Sequence, residues 1–139
     1  MLAELHAPAE TRVLIETESD IVTARQQGRQ LAAQNGFSST EQTLIATAIS
    51  EVARNIVEYA RRGEIILSEV QTNGRRGVLV VARDEGPGIK DVQLAMRDGY
   101  STGRSLGMGL PGARRLMDEF DLVSTPGHGT TITMTKWVR

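Results

Sequence analysis

The chain has 139 residues, a formal net charge of −1 and no cysteine. This length is typical of one domain over residues 1–139, and 40% hydrophobic with 24% charged residues is ordinary for a soluble protein. The small net charge gives no indication of a nucleic-acid or membrane partner, and the lack of cysteine excludes disulfides and thiolate chemistry. Without a signal peptide or about 18 consecutive apolar residues, we expect a cytoplasmic protein.

The chain begins with a segment of little pattern, followed by one strand and one helix. Apolar residues alternate in "TRVLIET" and predict a strand over 11–17. Ser19 is placed as the N-cap of a helix that ends near Asn35, where an Asn-Gly pair stops it.

A second helix follows, with Ser38 or Ser39 as its N-cap and Glu41 or Gln42 placed for a capping box. The helix is expected to end near 61–63. Its apolar positions recur at helical spacing and predict a face directed at a core, which comprises Ile45, Ile49, Val52 and Ile56.

The second half of the chain predicts two hairpins separated by helices. The runs "GEIILSEVQT" and "GVLVVARD" flank a turn at 73–77, and "FDLVST", "PGHG" and "TTITMTKWV" form a closing hairpin. Short helices are expected over 91–97 and 110–119, with a glycine-rich, mobile segment at 98–106 between them. Runs of strands with segregated helices favour an α+β sandwich over a doubly wound parallel sheet.

The stretch "GMGLPG", residues 107–112, has the G-x-G-x-x-G spacing of a dinucleotide site. No strand precedes it, and only thirty residues follow Gly109, which is too few for the rest of a dinucleotide fold. A protein-kinase glycine loop and a Walker A loop fail as well, because their accompanying motifs are missing. What remains is a helix entry with flexible backbone before it, which is a possible anion site.

Two polar residues share one face of the second helix. Glu51 and Asn55 are four positions apart and lie one turn from each other, with Leu44 and Ala48 on nearly the same line. A carboxylate beside apolar surface is a candidate general base, and an Asn carbonyl oxygen is a suitable Mg²⁺ ligand when phosphates complete the shell. The alternative is that Glu51 is solvated and that Asn55 only ends a polar strip.

Two further motifs follow predicted strands or begin them. Asp84 ends a buried strand and is followed by Gly86 and Gly88, so its carboxylate could accept a hydrogen bond from an exocyclic amine while the glycines leave room for a flat ring. Gly129 and Thr130 begin the last strand. Each motif alone is equally compatible with an ordinary turn or hairpin.

Together, the four motifs resemble the N, G1, G2 and G3 boxes of the GHKL ATP-binding superfamily. The boxes correspond, in order, to Glu51-x-x-x-Asn55, Asp84-x-Gly86-x-Gly88, Gly107-x-Gly109 and Gly129-Thr130. The run "GYSTGRSLGMGLPGARRLMDEFDLVSTPGHGT" is similar to the small bacterial switch-protein serine kinases of the RsbT type. The resemblance implies the GHKL fold: a two-layer α+β sandwich with helices on one face of a mixed, mainly antiparallel sheet.

The resemblance also implies a site for ATP and Mg²⁺. In that family Glu51 would be the general base and Asn55 would ligate Mg²⁺, while Asp84 would recognise the adenine amine. Gly86 and Gly88 would make room for the base. Thr130 would assist at the adenine through its hydroxyl.

The phosphates would lie at the start of the last helix. The segment 98–106 would be a short ATP lid, and Arg104 would stabilise charge on the transferring phosphoryl group. The expected backbone N–H donors to the phosphates are Gly107, Met108, Gly109 and Leu110.

The function implied is that of a protein serine/threonine kinase without its own phosphoacceptor domain. Its acceptor would be a Ser or Thr of a STAS-domain antagonist, and a PP2C-type phosphatase is a second possible partner. Two other classes stay open: an anti-sigma factor that sequesters a sigma subunit, and a binding module that uses ATP only as a conformational ligand.

Overall fold

A computed structural model describes residues 10–89, 96 and 109–139. Five strands and three α-helices follow in this order: β1 (Glu10–Ile15), α1 (Glu18–Gln34), α2 (Ser39–Asn55), β2 (Gly63–Thr72), β3 (Arg75–Asp84), α3 (Gly109–Leu116), β4 (Glu119–Thr125) and β5 (Gly129–Trp137). The predicted helix at 91–97 lies outside the described residues, except for residue 96. The predicted lid at 98–106 lies entirely outside them, together with Arg104, Gly107 and Met108.

The strands form one sheet in the order β1-β2-β3-β5-β4, and each pair of neighbours is antiparallel. β2 and β3 are joined by the turn Asn73–Gly74, in which both residues have positive φ. Such a two-residue turn matches the twist of the strands that it joins. The last strand, β5, lies between β3 and β4. Because β3 and β5 are antiparallel, the end of β3 lies beside the start of β5 in the middle of the sheet.

The core lies between one face of the sheet and the helices, as the α+β prediction requires. The predicted apolar face of α2 is confirmed, since Ile45, Ile49, Val52 and Ile56 are at most 1% exposed. They pack with alternate residues of the strands, which include Ile15, Ile65, Leu67, Val78, Val80, Ile132 and Met134. Among the described helices, none is long and apolar enough to cross a membrane.

The N-cap residue was predicted wrongly for α1 and correctly for α2. Helix α1 is capped by Thr17 rather than Ser19: the Thr17 hydroxyl accepts from the Asp20 N–H at 3.3 Å, while the Asp20 carboxylate accepts from the Thr17 N–H at 3.0 Å. This capping box outcompetes Ser19 because it satisfies two backbone donors at once. Helix α2 is capped by Ser38, one of the two predicted residues, which accepts from the Glu41 N–H at 3.1 Å.

The predicted second helix has two parts. Its α-helical hydrogen bonding ends at Asn55, and a π-helical turn continues over Ile56–Ala60. Arg61 then has a φ of 74°, which ends the helical path just before β2. Single π turns occur frequently at functional sites, and this one follows directly after two predicted site residues.

Helix α3 ends three residues earlier than predicted, at Leu116. The Lys136 ammonium of β5 donates to the Leu116 carbonyl at 2.9 Å and so satisfies a free acceptor at the helix end. Asp118 is then held by β5, because its N–H donates to the Thr135 carbonyl and its carboxylate accepts from the Trp137 N–H. Glu119 therefore begins β4 instead of ending the helix.

Helices α1 and α2 approach closely at Gly28. A Cβ at this position would collide with Cδ1 of Ile49, which is fully buried. We expect Gly28→Leu to lower the free energy of unfolding by about 1–3 kcal/mol, because a larger side chain would overpack this contact. Ala33→Leu, at an exposed position of the same helix, should change it by less than about 0.5 kcal/mol. Urea denaturation of both variants checks the prediction, and equal losses would contradict it.

Candidate functional site

Three polar side chains form a row across the carboxyl end of β3 and the adjoining hairpin. Asp84 of β3 lies opposite Thr130 of β5, and Thr130 lies opposite Ser124 of β4. All three share the sheet face that carries the buried Ala82 and Ile132, because side chains two apart on a strand point to the same side. The row is therefore directed toward the helices and not toward the open face of the sheet.

A hollow lies between this row and the end of α2. Its lining comes from the helix, its π turn, the two central strands and the loop after β3, and comprises Asn55, Tyr59, Ala60, Asp84, Pro87, Gly88, Ile89 and Thr130. With its open mouth it encloses about 190 Å³. Apolar side chains line the hollow together with three polar ones, Asn55, Asp84 and Thr130, and such a mixture is typical of small-molecule sites.

The floor of the hollow carries a carboxylate in a partly desolvated position. Burial raises the pKa of Asp84 above the ordinary value of 3.8, and hydrogen bonds from the backbone of Gly86 and Thr130 oppose part of that rise. The Gly86 N–H donates to Asp84 Oδ1 at 2.9 Å. The carboxylate thus has a fixed orientation and keeps acceptor capacity for a ligand.

The glycines of the two loops allow close contacts between protein segments. A Cβ on Gly86 would lie 2.6 Å from Cβ of Ala60, and a Cβ on Gly88 would lie 2.6 Å from the Thr125 carbonyl oxygen. Gly129 has a φ of 114°, and a Cβ there would collide with the Asp84 carbonyl. The π turn and the closing hairpin thus occupy the space beside Gly86 and Gly88, and the end of β3 occupies the space beside Gly129. The role of Gly86 and Gly88 in making room for the adenine stays a prediction.

Glu51, the predicted general base, lies on the same face of α2 as Asn55, one turn before it. Glu51 is 7% exposed, and its Oε1 accepts from the Gly109 N–H at 2.9 Å. Its Oε2 is 3.7 Å from Nη1 of Arg54. Gly109 is the first residue of α3, so the carboxylate lies at a helix N-terminus, where negative charge is favoured. Two candidate residues 58 positions apart are thereby in direct contact.

Asn55 and Leu110 have different surroundings. Asn55 is half-buried and lines the hollow one turn after Glu51. The side chain of Leu110 is buried in the core, so any contribution of this residue to a ligand comes from its backbone. Predicted site residues within the described ranges therefore occupy two adjoining places: the hollow, and the contact between α2 and α3.

The donor set fits a magnesium ion only as part of a nucleotide complex. Within residues 10–89, 96 and 109–139, no three His, Asp or Glu side chains are grouped as a metal site. Asn55 nevertheless offers a neutral carbonyl oxygen at the edge of the hollow. Mg²⁺ commonly takes one or two protein ligands and completes its shell with water and phosphate oxygens, so one such donor is compatible with it.

Five residues of the candidate site escaped the sequence prediction: Tyr59, Ala60, Pro87, Ile89 and Ser124. Tyr59 and Ala60 line the hollow from the π turn. Tyr59 is four positions after Asn55, and this helical spacing was the available signal for it. Ser124 had no such signal, because its place beside Thr130 depends on the register of β4 with β5.

Comparison with known proteins identifies the family of the chain. The family described as "Histidine kinase-like ATPase domain" matches residues 15–136. The serine/threonine-protein kinase RsbT of Bacillus subtilis is 52% identical over 127 residues, which are 91% of this chain and 96% of that protein. An anti-sigma F factor of Thermoanaerobacter sp. is 34% identical over 99 residues, which are 68% of each chain.

Two solved structures share the fold. The RsbU and RsbW domains of a Mycobacterium tuberculosis protein superpose with a TM-score of 0.61 at 24% identity, covering 94% of this chain and 32% of that one. The mycobacterial sensor histidine kinase MprB superposes with a TM-score of 0.55 at 12% identity, covering 96% and 99%. These similarities support the architecture.

The chain belongs to the histidine kinase-like ATPase family and, within it, to the family of the RsbT serine/threonine kinases. The resemblance inferred from the four motifs is thereby confirmed, as is the α+β fold. The predicted class of enzyme, a protein serine/threonine kinase, is that of a relative that matches nearly the whole chain.

The raised pKa of Asp84 predicts a pH-dependent stability. Because the fold favours the neutral carboxyl, its contribution is fully present below pH 3.8 and is lost as the pH rises through the folded pKa. Asn does not titrate, so the free energy of unfolding of Asp84→Asn relative to the parent should increase with pH from 3.8 upward and then level off. Urea denaturation of both proteins from pH 3.8 upward measures the difference in their free energies of unfolding. A difference that does not change with pH would contradict the raised pKa of Asp84.

Proposed function

We propose that this protein is an Mg-ATP-dependent serine/threonine kinase that phosphorylates a STAS-domain antagonist and acts as a partner switch. The observation that carries the proposal is the placement of Glu51 and Asn55 on one face of α2. Asn55 lines the hollow, whereas Glu51 contacts the first residue of α3. The candidate metal ligand and the candidate base therefore connect the hollow, where a nucleobase would bind, with the start of α3, where phosphates would bind.

The hollow would bind the adenine. The Asp84 carboxylate would accept a hydrogen bond from the exocyclic amine, since it is held by Gly86 and has acceptor capacity left. Thr130 would provide a hydroxyl beside it. Tyr59 offers an aromatic ring at the helix side, where it would pack on the flat base.

The phosphates would extend from the hollow toward the start of α3. Asn55 would ligate Mg²⁺, which, when bound, neutralises charge on the phosphate oxygens. The N–H of Gly109 would donate to a phosphate oxygen, together with the backbone of Gly107, Met108 and Leu110. Arg104 would stabilise the charge of the transferring phosphoryl group.

Glu51 would act on the acceptor hydroxyl. Its carboxylate would take the hydroxyl proton as the acceptor oxygen forms a bond to the γ-phosphorus, while the bond from that phosphorus to the β,γ-bridging oxygen breaks and ADP leaves. In the described structure the same carboxylate accepts from Gly109. A phosphate oxygen that takes over this N–H would free Oε1 for the proton, so occupancy of the site and activation of the base would be linked.

The acceptor would be a Ser or Thr of a STAS-domain protein, and release from it would allow the kinase to bind a PP2C-type phosphatase. Relatedness to the kinase RsbT over 91% of the chain supports a switch kinase. The proposed location is the cytoplasm, with no nucleic-acid or membrane partner. These assignments rest on relatedness and on composition.

One alternative has support of its own. Relatedness to an anti-sigma F factor over 68% of the chain is compatible with a protein that sequesters a sigma subunit. The higher identity and coverage of the RsbT match favour the switch kinase. A third class, an ATP-dependent binding module without catalysis, would have the same hollow but no function for Glu51.

Glu51→Gln separates catalysis from structure. The amide oxygen can still accept from the Gly109 N–H, but the side chain can no longer take a proton. We expect transfer of labelled phosphate from ATP to a STAS-domain acceptor to fall about 10²–10⁴-fold, with ADP affinity changed less than about twofold. Single-turnover transfer and calorimetric titration with ADP measure the two quantities.

Glu58→Gln is the matched control, since it makes the same substitution seven residues later, in the π turn, and should transfer at the parental rate. An unchanged rate in Glu51→Gln would refute the proposed base. A parent protein that binds ADP, labels no STAS acceptor and retains a sigma factor in a pull-down would instead favour the anti-sigma alternative.

A further inference from the structure

Ser124 has a position that the family motifs do not include. It lies on β4 directly opposite Thr130, and its hydroxyl joins three segments of the site. Ser124 Oγ accepts from the Ile89 N–H at 2.7 Å, lies 2.8 Å from Oγ1 of Thr130 and lies 3.3 Å from the Gly129 carbonyl oxygen. Ile89 and Thr130 both line the hollow.

The hydrogen-bonding capacity of Ser124 is limited. A serine hydroxyl has one proton and two acceptor positions, and the Ile89 N–H occupies one of the latter. The Ser124 hydroxyl donates to the Gly129 carbonyl oxygen at 3.3 Å, so the bond to Thr130 either takes the second acceptor position or shares this proton. In both directions one hydrogen-bonding position of the Thr130 hydroxyl is taken by Ser124, and this restricts rotation of that hydroxyl.

The restriction matters because Thr130 is adjacent to Asp84. An ionised carboxylate only accepts hydrogen bonds, so Asp84 favours a 6-aminopurine and disfavours a 6-oxopurine, which presents an acceptor at the same place. A hydroxyl that rotates freely can donate to a 6-oxo group and partly compensate for that mismatch. A hydroxyl held by a neighbour is less able to do so.

We propose that Ser124 is a positioning residue for nucleobase recognition, which holds the Thr130 hydroxyl so that the hollow discriminates 6-aminopurine from 6-oxopurine nucleotides. The inference rests on the proposed nucleotide function. It assigns Ser124 no contact with the base, because its effect passes through Thr130.

The test compares the affinities of ADP and GDP by calorimetric titration. Ser124→Ala should weaken ADP binding about five- to tenfold, which corresponds to the loss of one net hydrogen bond, and should narrow the ratio of ADP to GDP affinity by a similar factor. Ser124→Thr keeps the hydroxyl, so its ratio of ADP to GDP affinity should equal that of the parent. Thr131→Val, which removes a hydroxyl from the opposite face of β5, should leave the ratio unchanged.

A double-mutant cycle separates positioning from loss of structure. If Ser124 acts through Thr130, Ser124→Ala should have little further effect on ADP affinity in a Thr130→Val background. Additive effects would mean that Ser124 only stabilises the loop, and the proposal would be wrong. Thermal denaturation of each variant shows whether folding is retained.

The two proposals fail differently. A parent protein that binds no adenine nucleotide would overturn the proposed function and this inference with it. A parent that binds ADP, with Ser124→Ala showing the parental ratio of ADP to GDP affinity, would overturn the inference alone. In that case the recognition of adenine by Asp84 would stand.

Discussion

The antiparallel pairing of β3 with β5 is the constraint on which the site depends. It places Asp84 opposite Thr130 in the middle of the sheet, although the two residues are far apart in the sequence. The same register directs Val80 and Met134 into the core. A slip of one residue would turn every side chain of β5 to the other face, so packing of the core and alignment of the polar row are selected together.

Gly129 helps to set this register. Its positive φ and its close approach to the Asp84 carbonyl are available only to a residue without a Cβ. The motif Gly129-Thr130 therefore has a structural explanation that is independent of any ligand. The glycine lets β5 start against the end of β3, and the next residue is thereby placed in the hollow.

Local patterns in the sequence were sufficient for most of the secondary structure. The helical spacing of Ile45, Ile49, Val52 and Ile56 identified the buried face of α2 and, with it, the common face of Glu51 and Asn55. The first hairpin was recognisable from its Asn-Gly turn. Two helix termini were predicted wrongly. The start of α1 is set by the capping box Thr17-x-x-Asp20, a local pattern that was overlooked in favour of Ser19. The end of α3 is set by hydrogen bonds from β5, which a local pattern does not contain.

The site was predictable as a set of residues but not as an arrangement. Ordered motifs pointed to Asn55, Asp84, Gly88 and Thr130, which the structure brings to one hollow. Motifs did not reveal Tyr59 or Ser124, because one depends on a π turn and the other on strand register. Nor did they indicate that Glu51 would contact Gly109, since that bond depends on how α3 packs against α2.

The bond from Gly109 to Glu51 has a consequence in thermodynamic linkage. One N–H cannot serve the carboxylate and an incoming anion equally, so α2 and α3 share a single donor between two uses. Any binding partner that displaces α3 from α2 would change the affinity for a ligand at this donor. By reciprocity, the ligand would change the affinity for that partner by the same factor. Under this linkage, ligand binding at the donor and the packing of α3 on α2 are coupled through one backbone amide.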